Sequence, residues 1–183
     1  MGLYAGEKDL RSEMVRSLHR WWLSKSAGDI PDRADLDPVE IKRLLPNLFI
    51  ADVEHDPFRI RYRLVGTKAI QATGFDITGR YLDDLLPADG SEPWMEYYHQ
   101  AYRTRSPVFG SSRAPTTSGS HFVYEFGLFP LRKGDSAVAQ FVALEDYFDL
   151  TSTLLELVEW RERRASGPSD LGLGLRRATL FMT

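Results

Sequence analysis

The sequence predicts an α+β domain, a mixed antiparallel sheet with short helices on one face. Three stretches carry that expectation. FRIRYRLVG alternates strictly, with Phe58, Ile60, Tyr62 and Leu64 on one side and Arg59, Arg61 and Arg63 on the other, the pattern of a half-buried strand. SEPWMEYYHQAYRTRS spaces Trp94, Tyr98, Ala101 and Tyr102 along one face of a helix. HFVYEFGLFPL alternates again and sets Phe122, Tyr124, Phe126 and Leu128 on one side of another strand.

The remaining elements follow in order. Leu10, Met14, Leu18, Trp21 and Trp22 recur at helical spacing, so residues 1–28 are predicted to hold an N-terminal amphipathic helix. Two adjacent tryptophans make a face too large to leave in water. It packs either on its own domain or on another subunit, and the sequence leaves both open. Asp37, Pro38 and Glu40 have the spacing of a capping box, which predicts a short helix over residues 38–45 that buries Ile41, Leu44 and Leu45 and stops at Pro46. NLFIADVE then reads as a strand, His55-Asp56-Pro57 as a turn, and FRIRYRLVG as the second arm of a hairpin. The three arginines on that arm read as a solvated or ion-paired surface. TKAIQATG is a short helix stopped by Gly74, and Gly79 turns the chain into another that ends before Pro87.

After the helix that begins near Trp94, PVFGSSRAP, HFVYEFGLFPL and SAVAQFVALEDYF form three strands, joined by the TTSGS loop and the Lys133-Gly134-Asp135 turn. The main domain spans residues 29–150. In residues 151–183, TSTLLELVEWRERR is predicted to be a closing helix with Leu154, Leu157 and Val158 along one stripe. The tail beyond Gly167 lacks periodicity and is expected to be mobile.

Composition narrows the function classes. With 183 residues, 43% hydrophobic and 12% aromatic, the chain suits one domain with a real core. Its 23 basic and 26 acidic side chains give a net charge of −3, which offers no electrostatic basis for a nucleic-acid partner. The absence of cysteine excludes disulfides, thiolate metal sites, cysteine nucleophiles and thiol-linked chromophores. No apolar run reaches the roughly 18–20 residues of a membrane span. The N-terminus does not read as a secretory signal. A cytoplasmic protein with no membrane association is expected.

The order of elements resembles the PAS fold. Pro31-Asp32-Arg33, Asp35-Leu36-Asp37-Pro38, Ile41, Leu44-Leu45-Pro46 and Leu48-Phe49 are similar to the opening of a PAS-like bacterial family, common in alphaproteobacteria and often a stand-alone domain. Tyr62-Arg63-Leu64-Val65-Gly66-Thr67, Gly74, Ile77-Thr78-Gly79-Arg80 and Leu82 are similar to its middle. The resemblance runs from about Leu10 to about Leu150. It implies a five-stranded antiparallel sheet of order 2-1-5-4-3, with short helices on the concave face and N- and C-terminal helices flanking it. It also implies a sensory or regulatory protein in bacterial signalling, with output through flanking helices, a homodimer or a protein partner.

The face that would enclose a small apolar or aromatic ligand combines Ile60, Tyr62 and Leu64 with Tyr98, Tyr102, Tyr124, Phe126, Val142 and Leu144. The same residues also describe a packed core. Flavin photochemistry of the light-sensing kind needs a cysteine that is missing here, while non-covalent flavin stays open and no cofactor is specified. His99 sits where some PAS sensors carry a haem ligand, but it reads better as a surface histidine. His19, His55 and His121 are too scattered for a metal site. No phosphate loop or nucleophile motif is present, so no catalytic residue is assigned and the protein is not expected to be an enzyme. The enzymatic alternative is a ketosteroid-isomerase-like cone, with Asp52 or Glu125 as base beside Tyr62 and Tyr98. Both carboxylates read better as solvent-facing.

Overall fold

The computed structural model describes residues 2–86, 93–115, 121–134 and 137–148. They form one antiparallel sheet of strands β1 (Gly2–Leu3), β2 (Leu48–His55), β3 (Phe58–Val65), β4 (Val108–Pro115), β5 (His121–Arg132) and β6 (Val138–Asp146), in the order β1-β4-β5-β6-β2-β3. Without β1 the order is the one that the PAS resemblance implies. The sixth strand corrects the expected count of five. β4 would otherwise be a bare edge with unpaired N–H and C=O groups, and Gly2 and Leu3 pair there with Ser111 and Gly110. The close approach needs the glycine, because a Cβ on Gly110 would lie 2.6 Å from the Gly2 carbonyl oxygen. The other edge is covered too. Residues 79–82 run along β3, with the Tyr62 N–H donating to the Arg80 carbonyl and the Leu82 N–H to that of Ile60.

Helices lie on both faces, because both faces of the central strands are apolar. On the inner face, helix α3 (Trp94–Thr104) sets Trp94 4.6 Å from the ring of Phe126 and Tyr98 5.0 Å, edge-on, from Phe141. Helix α2 (Thr67–Thr73) packs beside the 3-10 turn at Leu45–Asn47 and ends at Gly74, whose φ of 78° is the left-handed conformation glycine adopts without strain. Helix α1 (Glu13–Lys25) crosses the outer face of β5 and β6. Beneath it lie Phe129, its cross-strand partner Val142, and Gly127 paired with Leu144. A Cβ at Gly127 would lie 2.9 Å from Val15 of α1, so the glycine lets the helix come close. The expected helix at the N-terminus is thus a packed layer of the domain.

Both tryptophans of α1 pack inside this chain. Trp22 is buried and its indole N–H donates to the Pro130 carbonyl at 2.8 Å, while Trp21 donates to Glu40 at 3.0 Å. Of the two sites the sequence left open, the structure occupies the one on the same domain. Trp22→Ala should therefore cost roughly 3–5 kcal/mol in urea denaturation. Its sedimentation mass should match that of the wild type, and a lower mass would place the ring in a contact between copies instead.

Two local expectations change. The helix over residues 38–45 is a series of turns, with the Leu44 N–H bonded to the Ile41 carbonyl. The Asp37 carboxylate accepts from the Val39 N–H, two residues on, which closes a side-chain turn instead of a helix cap. The capping box sits earlier, at Asp32 and Asp35 around the 3-10 turn Arg33–Asp35. Glu40, free of the cap, holds Trp21 and Lys25. The residues after Tyr81 form a single turn, the Leu86 N–H reaching the Leu82 carbonyl. The closing helix and the tail beyond Gly167 lie outside the described residues.

Candidate functional site

The inner face takes its character from the register of three strands. Phe126 pairs with Glu145, Ala51 with both Phe141 and Tyr62, and Val53 with Ile60, so these side chains share one side of the sheet. Toward the end of β6 that face becomes polar. Tyr147 follows the strand and its hydroxyl donates to Glu145 Oε2. The Tyr147 ring stands 5.4 Å from Tyr124 of β5. Tyr62 of β3 and Tyr98 of α3 share a hydrogen bond between their hydroxyls. Asn47 donates its side-chain N–H to the Glu145 backbone carbonyl at 2.8 Å. The result is a carboxylate among four phenols, with its cross-strand partner Phe126 as the apolar neighbour.

Burial decides the electrostatics. Tyr62, Tyr98, Tyr124 and Tyr147 are all buried, and Glu145 keeps partial solvent contact. Desolvation pushes the Glu145 carboxyl up to about 7, and the Tyr147 hydroxyl offsets only part of that. Desolvation likewise raises Tyr62, Tyr98 and Tyr147, and the nearby Glu145 charge adds to it. All three stay neutral at physiological pH and can donate as well as accept. Asn47 Oδ1, Trp94 Nε1 and Ser112 Oγ, the last on the cross-strand partner of Tyr124, are also buried without a partner among the described residues.

The structure brings Tyr62, Tyr98, Tyr124 and Phe126 together on this face, and sets Ile60 on the same face nearer the hairpin, opposite Val53. Tyr102 stands apart at the hairpin end, half-buried, with its hydroxyl 3.3 Å from His55 Nδ1. Leu64 is corrected to the outer face, where it is 47% exposed. A β-bulge causes the change. Tyr62 opposes Ala51 and Leu64 opposes Ile50, so Arg63 is an extra residue that reverses the alternation. Val142 and Leu144 are corrected as well. They are buried on the outer face under α1, away from the tyrosines.

Of the two carboxylates weighed as bases, neither meets Tyr62 and Tyr98. Asp52 lies on the outer face against Arg63 at 3.5 Å. Glu125 is 1% exposed, not solvent-facing, and accepts from the Arg11 and Ser12 backbone N–H groups and the Tyr4 hydroxyl. Glu145, Tyr147 and Asn47 escaped the sequence reading. The missing signal was phase. Phe141 and Ala143 are as apolar as Val142 and Leu144, so alternation cannot say which set faces inward. Had the first set been taken as inner, Glu145 would have followed it into the site.

The arginines of β3 are held locally. Arg59 binds Asp83 and Asp84 and lies 3.7 Å over the Tyr81 ring, and Arg61 reaches the Gly79 carbonyl. His99 stacks on Phe58 with ring centres 4.0 Å apart, and desolvation lowers its pKa. Among the described residues no three His, Asp or Glu side chains group as metal ligands, and no helix is long and apolar enough to cross a membrane.

A family model described as a PAS domain matches residues 10–144. No curated protein matches the chain. Among solved structures the chain is similar to a light-oxygen-voltage domain studied with a flavin analogue, at 16% identity and a TM-score of 0.47 over 70% of this chain and 97% of that one. It is also similar to an RNA-binding light-oxygen-voltage receptor, at 20% identity and a TM-score of 0.45 over 76% of this chain and 40% of that one. A third is the light-oxygen-voltage domain of a blue-light activated histidine kinase from Erythrobacter litoralis, at 22% identity and a TM-score of 0.42 over 56% of this chain and 94% of that one.

Proposed function

The chain belongs to the PAS domain family, a family of sensory signalling modules, and from that premise we propose that it binds a small ligand against the inner face of its sheet and passes the change to a protein partner or a second copy. The convergence of Tyr62, Tyr98, Tyr124, Tyr147 and Glu145 on an otherwise apolar face carries this reading. A few polar groups on an apolar wall fix the orientation of a small molecule, whereas a core built only for stability avoids them. Ligand and partner act by population shift, each favouring one arrangement of the helices against the sheet. The protein works in the cytoplasm as a binding module and not as an enzyme.

Native mass spectrometry of freshly purified protein, with an absorbance spectrum of the same sample, tests the reading. A bound molecule should appear as excess mass over the 20.9 kDa chain that disappears on denaturation. Visible bands would identify flavin or haem, and their absence a colourless metabolite. Tyr98→Ala and Tyr124→Ala should each lower the occupancy at least about tenfold, the effect of losing one good contact. Unchanged occupancy in both would move the ligand elsewhere.

One observation favours a second reading, a proton-transfer enzyme. Glu145 near neutrality beside phenol donors can hold a base and an oxyanion site together. Glu145→Gln would then abolish turnover of a β,γ-unsaturated ketone while ketone binding persisted.

A further inference from the structure

Glu145 lacks the cationic partner that Glu125, Asp52 and Asp32 have; Asp146, half-buried and also without one, lies on the outer face and accepts from the Ser12 hydroxyl at 2.6 Å. Glu125 has Arg11 at 3.7 Å, Asp52 has Arg63 at 3.5 Å and Asp32 has Arg132 at 3.1 Å. Among the described residues no lysine, arginine or histidine pairs with Glu145. The groups that face it are Tyr147 from its own strand end, Tyr62 from β3, Tyr98 from α3 and the Tyr124 ring of β5 beside Tyr147. The Asn47 amide is taken up by the backbone carbonyl of Glu145. A carboxylate taken out of water without a cation is unfavourable, and a cation that enters from outside relieves the cost. Aromatic faces around such a charge attract the same kind of group, because their π-clouds are negative. Partial exposure of Glu145 leaves it within reach of solvent.

We infer that the Glu145 site takes a small organic cation, an amine or quaternary ammonium group carried on an apolar or aromatic body. The inference rests on the inner face being the ligand site and names the ligand class for it. Glu145 accepts the charge, the tyrosines surround it, and Phe126, its cross-strand neighbour, offers the apolar wall for the body. An anionic ligand is excluded by the same carboxylate. A neutral one leaves the carboxylate charge uncompensated.

The test uses the full chain with benzyltrimethylammonium and, as its neutral counterpart, benzyl alcohol. Titrations at pH 8 are followed by calorimetry and by NMR of the tyrosine ring protons. The cation should bind at least about tenfold more tightly than the alcohol, the ratio expected for one desolvated charge contact. It should shift the Tyr62, Tyr98 and Tyr147 resonances and weaken as the pH falls through about 7 and Glu145 gains a proton. Glu145→Gln, which keeps the acceptor for Tyr147, should lose that preference for the cation.

Benzyl alcohol binding equally well at the same resonances overturns the cation and leaves the inner face as a ligand site. Full cation affinity in Glu145→Gln has the same meaning. Failure of both probes to shift any of these tyrosines at millimolar concentration removes the cation and the inner-face site together.

Discussion

Glu145→Gln should stabilise the chain at pH 8 by roughly 2–3 kcal/mol, and the gain should fade toward pH 4. The cause is the separation between the ordinary carboxyl value of 4.5 and the value of about 7 to which burial pushes Glu145. The folded protein holds the Glu145 proton at a pH where the unfolded chain has released it. Folding therefore binds a proton between those two values, and stability falls as the pH rises through them. Above pH 7 the native state carries the whole cost of an ionised carboxylate among phenols. The glutamine carries no charge and still accepts from Tyr147, so it escapes that cost at every pH. Urea denaturation of both proteins across pH 4–9 measures the difference directly. A difference that did not vary with pH would show that Glu145 is solvated as well in the fold as in the unfolded chain.

Glu125→Ala should act in the opposite direction, with a loss of roughly 3–5 kcal/mol. The carboxylate is 1% exposed and anchors the entry to α1, accepting from the Arg11 N–H at 2.9 Å, the Ser12 N–H at 2.8 Å and the Tyr4 hydroxyl at 2.9 Å. Its removal leaves two donors at the start of α1 unpaired under a closed layer. Ser12 is itself the helix cap, accepting from the Val15 N–H and donating to Asp146 at 2.6 Å, so the loss spreads to the end of β6. Glu125→Gln keeps an oxygen for both N–H groups and should cost only about 1 kcal/mol, the share of the charge. Amide exchange at residues 11–15 should quicken in the alanine variant and stay near the wild-type rate in the glutamine variant. Equal stability of all three proteins would mean that α1 is held by its apolar face alone.

These two glutamates show where local pattern stops being informative. Both sit in strands and both read as solvent-facing or went unnoticed. Alternation assigns a residue to one of two faces but does not say what covers each face. Glu125 is buried because α1, more than a hundred residues earlier, lays its first turn over the outer face. Glu145 is in the site because Phe126 is its cross-strand neighbour and α3 closes the same side. Leu64 left the site for a related reason, since a single extra residue at Arg63 reverses the faces and no composition signal marks it.

The sequence by itself determined the elements and their class. The alternating arginines of β3, the aromatic stripe of α3, the stop at Gly74 and the stripe through Leu18, Trp21 and Trp22 are short-range patterns. They survive because backbone geometry and the burial of one face dictate them residue by residue. The succession of a hairpin, helices and three strands was enough for the fold and the family. Only the tertiary structure decided which face of β6 is the inner one, that α1 forms a second helical layer, and that a carboxylate lies among the tyrosines. Those outcomes depend on pairings between residues far apart in the chain, and on a central sheet apolar on both sides. A period of two has no means of choosing between two equally apolar faces.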